Sequence, residues 1–120
     1  MKYELEERVA KFGEAIIDLA KNLESNTINK PLIGQLVRSG TSVGANYMEA
    51  NQASSRKDFR NKITISRKES NESKHWLRMI ARSEPVKKEE CRKLWQEAHE
   101  LVLIFGSIEK SARSDKKVQV

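Results

Sequence analysis

Apolar residues recur along this chain at helical spacing, in four blocks separated by short polar turns. In the first block Leu5, Val9, Phe12, Ile16, Leu19 and Leu23 alternate steps of four and three. That seam predicts a helix from about Glu4 to Leu23 with a narrow apolar stripe, as in a helix packed through coiled-coil-like contacts. The stretch 25–30 reads as a turn, and Pro31 stands where a first helical turn tolerates a missing N–H. A second helix, about Pro31 to Ala53, buries Leu32 or Ile33, Leu36, Val37, Val43, Tyr47 and Ala50. Ser55 followed three residues later by Asp58 reads as the cap of a third helix running to about Arg82. Its inner side carries Phe59, Ile63, Ser66, Ser70, Ser73, Leu77 and Ile80, with Trp76 on the flank. Pro85 stops it, and the fourth helix, about Val86 to Ala112, shows the broad face of a core helix in Cys91, Leu94, Trp95, Ala98, Leu101, Val102, Phe105 and Ile108.

Four such helices joined by short turns predict an all-α fold: a left-handed, antiparallel up-down-up-down four-helix bundle over residues 1–112, with a flexible basic tail at 113–120. The chain has 120 residues, enough for one hydrophobic core, and its two prolines leave few places to break a helix. One cysteine, Cys91, excludes an internal disulfide framework, and it has the spacing of a small buried hydrophobe. With no apolar run of spanning length and no signal-peptide pattern, the expectation is a cytoplasmic protein without a membrane partner.

Three glycines interrupt the second helix. Gly40 and Gly44 are one turn apart on a shared face, and an interior glycine costs about 1 kcal/mol relative to alanine. We read that face as one where another backbone comes close, within the bundle or across a subunit boundary. The competing reading is a weak helix that merely tolerates them.

Charge changes the picture once it is located. Residues 54–83 carry nine Lys/Arg against three Asp/Glu, the same net +6 as the whole chain, whereas residues 1–24 carry four against six. Arg56, Arg60, Arg67, Lys74 and Arg78 fall within about 40° of one line along the third helix, with Arg82 nearby, about a quarter-turn from the apolar face. The row is more than about 30 Å long at ~1.5 Å per residue, and arginine predominates, which suits bidentate contact with successive phosphates. The aromatic rings take positions at or beside the core, so the expected contact is phosphate- or shape-directed binding of structured RNA rather than base stacking. The competing reading is a solvated face neutralised by acidic helices of the same or a neighbouring chain.

Asn46 and Glu49 on the second helix, and Glu69 and Glu72 on the third, lie beside the apolar faces. They are expected to form an interhelical polar network that fixes register rather than a pair of acid/base carboxylates. Glu72-x-x-His75 matches one half of a di-iron helix pair, but a second copy and two further inward glutamates are missing, so no metal is expected. Phosphate-binding glycine loops, zincin helices and nucleophile elbows are absent, and neither enzymatic activity nor a cofactor is expected.

Two segments carry a family resemblance. Ser39-Gly40-Thr41-Ser42-Val43-Gly44-Ala45-Asn46-Tyr47-Met48-Glu49-Ala50, followed by Lys57-Asp58-Phe59 and then Lys68-Glu69-Ser70-Asn71-Glu72-Ser73-Lys74-His75-Trp76-Leu77, resembles the 23S rRNA intervening-sequence protein family of small bacterial four-helix bundles. The resemblance covers nearly the whole chain, and Ser70, Asn71 and Ser73 are more polar than the family pattern. Members of that family are encoded within or near insertions in large-subunit rRNA genes, and a related accessory protein of diversity-generating retroelements is a pentameric, basic, nucleic-acid-binding bundle, so the resemblance implies a homopentamer with a central channel and an RNA partner. Residues and resemblance together give a non-enzymatic oligomeric bundle that presents its basic row to ribosomal RNA or its inserted segment. The alternative is a structural or protein-binding scaffold whose basic helix pairs with acidic surfaces of neighbouring subunits or of another protein.

Overall fold

The computed structural model describes the backbone of residues 2–118 and the side chains of residues 4–113. Four helices follow one another: α1 (Lys2–Lys21), α2 (Asn29–Asn51), α3 (Arg56–Ser83) and α4 (Lys88–Val118), with a single 3-10 turn at Pro85–Lys87 leading into α4. They make a rod of 54 × 22 × 21 Å. α2 packs on α1 and α3, and α3 on α4, while α1 and α4 touch sparingly.

Partner numbers rise on one helix as they fall on the next. Between α2 and α3, Arg38 meets Glu69 and Glu72, Val43 meets Ser66, and Glu49 meets Lys62. Between α3 and α4, Arg67 meets Glu109 and Lys74 meets His99. Consecutive helices therefore run antiparallel along these seams.

The helix ends follow from local hydrogen bonding. Ser55 has an extended backbone and its side chain accepts from the Asp58 N–H at 3.0 Å, the expected cap of α3. α2 starts two residues before Pro31 because the Asn26 carboxamide oxygen accepts from the N–H groups of Ile28 and Asn29, at 3.0 and 2.8 Å. Buried Asn29 donates to the Glu24 carbonyl and accepts from Ser83, tying that turn to the far end of α3. α4 continues past Ala112, since residues 113–118 include neither glycine nor proline. The tail expected at 113–120 otherwise lies outside the described residues.

The core is a single cluster with contributions from all four helices, including Val9, Phe12, Ile16 and Leu19, then Leu36, Val43 and Tyr47, then Ile63, Leu77 and Ile80, then Ala98, Leu101 and Phe105. Tyr47 and Phe105 meet as a tilted pair 5.8 Å apart. The polar residues of the α3 motif take part in the packing. Ser66, Ser70 and Ser73 are fully buried facing α2, and each hydroxyl is used: Ser66 donates to the Val43 carbonyl, Ser70 to the Ser66 carbonyl, and Ser73 to Ser39 and the Glu69 carbonyl. Small residues with satisfied hydroxyls let α2 and α3 approach closely without stranding a buried polar group. Asn71, by contrast, is exposed.

Gly40 and Gly44 do the same on the side of α2 that faces α1. A Cβ at Gly40 would stand 2.8 Å from Ile16 Cγ1, and one at Gly44 would stand 3.4 Å from Val9 Cγ2. Within the chain, then, the glycine face receives α1.

Candidate nucleic-acid interface

The basic row lies along the side of α3 that borders α4, because it is turned about a quarter of the circumference from the buried serines and Leu77. Its six members do not share one environment. Arg67 is tied down: its Nε donates to Glu109 Oε1 at 2.5 Å, and Glu109, only 8% exposed, also accepts from Thr64 Oγ1 at 2.5 Å. Lys74 Nζ lies 3.1 Å from His99 Nδ1 and 4.7 Å from the centroid of the Trp95 ring. Arg56, Arg78 and Arg82 are exposed and Arg60 is half-buried, and among the described residues none of these four has a carboxylate partner. Arg60 Nε is itself buried without a hydrogen-bond partner. Lys57 and Lys68 add exposed charge to the same helix.

Sequence reasoning missed Glu109. It continues the inner stripe of α4 four residues after Phe105, and a carboxylate where the period requires a core residue was the available signal. It also left Trp95 in the core. The ring is half-exposed and stacks on His99 with 5.4 Å between centroids and 13° between planes, so an aromatic residue from α4 does border the basic row.

The residues expected to form a polar network divide. Arg38 bridges α2 to α3 by bonding Glu69 and Glu72, and Glu72 also accepts from Trp76 Nε1 at 2.8 Å. Glu49 pairs with Lys62 Nζ at 2.7 Å, and that carboxylate holds the Lys62 ammonium above its ordinary range. Asn46 stays within its own helix, donating to the Ser42 carbonyl. Arg38, which the sequence reading did not single out, is the centre of the bridge.

Elsewhere, Arg8 joins α1 to α4 through Glu97 and Glu100, at 2.7 and 2.8 Å, and the Glu97 hydrogen bond is the main cause of its raised pKa. Burial pushes the Cys91 thiol up to about 11, which keeps it neutral and unreactive at ordinary pH. Among the described residues no three His, Cys, Asp or Glu side chains are arranged to hold a metal ion, and Glu72 and His75 serve other contacts: Glu72 binds Arg38, and His75 packs edge-on against Trp76. Among the described residues no helix is long and apolar enough to cross a membrane.

Comparison with known proteins adds the family. A protein of unknown function from Bacteroides thetaiotaomicron, assigned to the S23 ribosomal protein family and solved by crystallography, is similar to this chain at 36% identity and a TM-score of 0.79. The likeness covers 92% of this chain and 99% of that one. No curated protein matched. The family described as 23S rRNA-intervening sequence protein matches over residues 1–117, and with the four-helix architecture above this places the chain as a member of that family.

Proposed function

We propose that the chain is a non-catalytic RNA-binding bundle whose contact surface is the outer side of α3 where it borders α4. One observation carries the reading. Among the described residues Arg56, Arg60, Arg78 and Arg82 have no carboxylate partner, and they are distributed over roughly 39 Å at ~1.5 Å per residue. Cations left unpaired along a row are available to a row of phosphates, and Lys57 and Lys68 extend the same field. Arg67 drops out of the contact set, since its partner is the buried Glu109, and so strengthens the α3–α4 seam instead.

The test is binding to a structured ribosomal RNA fragment across a salt series. Four phosphate contacts per chain predict a slope of about −3 to −4 in log affinity against log salt. Arg56→Glu, Arg60→Glu and Arg78→Glu together should abolish binding, whereas a salt-independent affinity, or none at low salt, overturns the reading.

A second reading, self-association, is favoured by an apolar groove of about 330 Å³ between α1 and α2, where Ile17 is 41% and Met48 59% exposed. An assembly such as the pentamer that the family resemblance implies would multiply a weak row into a useful one. Light scattering tests it: Ile17→Glu with Met48→Glu should reduce the mass to that of one chain, and an unassembled wild-type protein removes the idea.

A further inference from the structure

Between the start of α4 and the last third of α3 lies a cavity of about 180 Å³ that the basic row alone does not explain. Leu77, Ala81 and Trp95 give it an apolar floor, and Arg78, Lys88 and Arg92 stand round it. Arg92 is engaged by Glu89 at 2.5 Å in an exposed pair, which solvent and salt keep weak, while Arg78 and Lys88 have no such partner among the described residues. Cys91 closes the bottom as a buried neutral thiol and offers no chemistry of its own.

The chemistry of this niche is divided in two. A free inorganic anion would find cations at the rim but no charged group in the floor. An apolar side chain would fill the floor and leave Arg78 and Lys88 without a partner. A planar aromatic ring carried on a phosphate chain satisfies both parts. The volume is below the roughly 300–1,000 Å³ of ordinary small-molecule pockets, so it suits one ring presented by a polymer held elsewhere. Trp95 is also braced. Its ring is nearly parallel to His99, whose in-plane Nδ1 receives Lys74, so Lys74 and His99 share one face of the indole and hold it in place.

We propose that this niche receives a single unpaired base of a bound RNA, packed against Trp95 between Leu77 and Ala81, with the flanking phosphates on Arg78 and Lys88. It rests on the RNA-binding reading above and adds to it a preference for a bulged or looped nucleotide over an uninterrupted duplex. The row on α3 supplies affinity, and the niche supplies position along the RNA.

The test uses the full chain and three RNA hairpins of one sequence: fully paired, with one bulged adenosine, and with an abasic bulge at the same place. The adenosine bulge should bind about 5- to 150-fold more tightly than the abasic one, the range of one base stacked on an aromatic ring. Ala81→Leu, which fills the floor, should erase that preference and leave the affinity for the abasic hairpin unchanged. In a Trp76→Phe chain, where Trp95 is the one remaining tryptophan, the adenosine bulge should quench the fluorescence and the abasic bulge should not; this readout leaves the niche itself intact. Equal affinity for the two bulges overturns the niche while the RNA-binding reading stands. A preference that survives Ala81→Leu, or quenching by both bulges alike, puts the base elsewhere and also overturns it. Failure of every hairpin to bind at low salt overturns both.

Discussion

Gly40→Ala should behave opposite to Gly34→Ala, although both change one interior glycine of α2 and neither has a positive φ. Alanine is favoured over glycine in a helix by about 1 kcal/mol. At Gly34 a new Cβ meets nothing within 4 Å, so that gain should appear whole. At Gly40 the Cβ would stand 2.8 Å from Cγ1 and 3.0 Å from Cγ2 of Ile16. Ile16 is fully buried, wedged among core side chains, and cannot swing away as a surface side chain would. Overpacking of this kind costs about 1–3 kcal/mol, so Gly40→Ala should range from neutral to about 2 kcal/mol destabilising. The two variants should differ by about 1–3 kcal/mol in urea unfolding followed by far-UV circular dichroism, or by roughly 4 °C in Tm per kcal/mol. A double-mutant cycle isolates the contact. Ile16→Ala removes Cγ1 and Cγ2, the two nearest atoms, and leaves Cβ at 3.2 Å, so in that background most of the difference between Gly40→Ala and Gly34→Ala should disappear, whatever Ile16→Ala costs by itself. If Gly40→Ala stabilises the wild-type chain as much as Gly34→Ala does, close packing of α1 on α2 is not what this glycine provides.

Other outcomes follow from the same structure. Arg67→Ala leaves the Glu109 carboxylate buried with only Thr64 as partner and should cost about 1–3 kcal/mol by chemical denaturation; Glu109→Gln with Arg67→Ala should recover part of it, and additive losses would refute a shared site. Arg8→Met, in contrast, should cost no more than about 1 kcal/mol, because both carboxylate partners are partly solvated, and a larger loss that persists in high salt would contradict the exposure seen here. The Cys91 thiol has a folded pKa of about 11 against an ordinary 9.0, so its contribution to stability is complete below about pH 9 and is lost as pH rises through 11. Native protein should accordingly resist thiol reagents at about pH 8 and react once unfolded, and rapid native labelling would show the cysteine to be accessible.

Which residues form helices, and which face of each is inward, could be read from the sequence because both depend on short-range periodicity. Val9, Phe12, Ile16 and Leu19 are buried where their spacing places them, and Ser55 caps α3 through the hydroxyl that the Ser55/Asp58 pair advertises. The charge excess on α3 is likewise a property of one segment and needs no tertiary information. Partnerships between helices are different in kind. Nothing local to Arg67 distinguishes it from Arg78, yet the rotation of α4 sets Glu109 against one and an open niche beside the other. Arg38 became the bridge between α2 and α3 only because two glutamates 31 and 34 residues further along the chain came to rest beside it, and Trp95 borders the basic row only because α4 crosses α3 at that level. Periodicity fixes the angle of a side chain about its own axis, but the axial offset and separation of neighbouring helices are set by packing volume, by Gly40 against Ile16 and by the serines of α3 against α2. That is why the sequence by itself determined the helices and their polarity, while the tertiary structure alone decided which cations are neutralised and which are left to meet a partner.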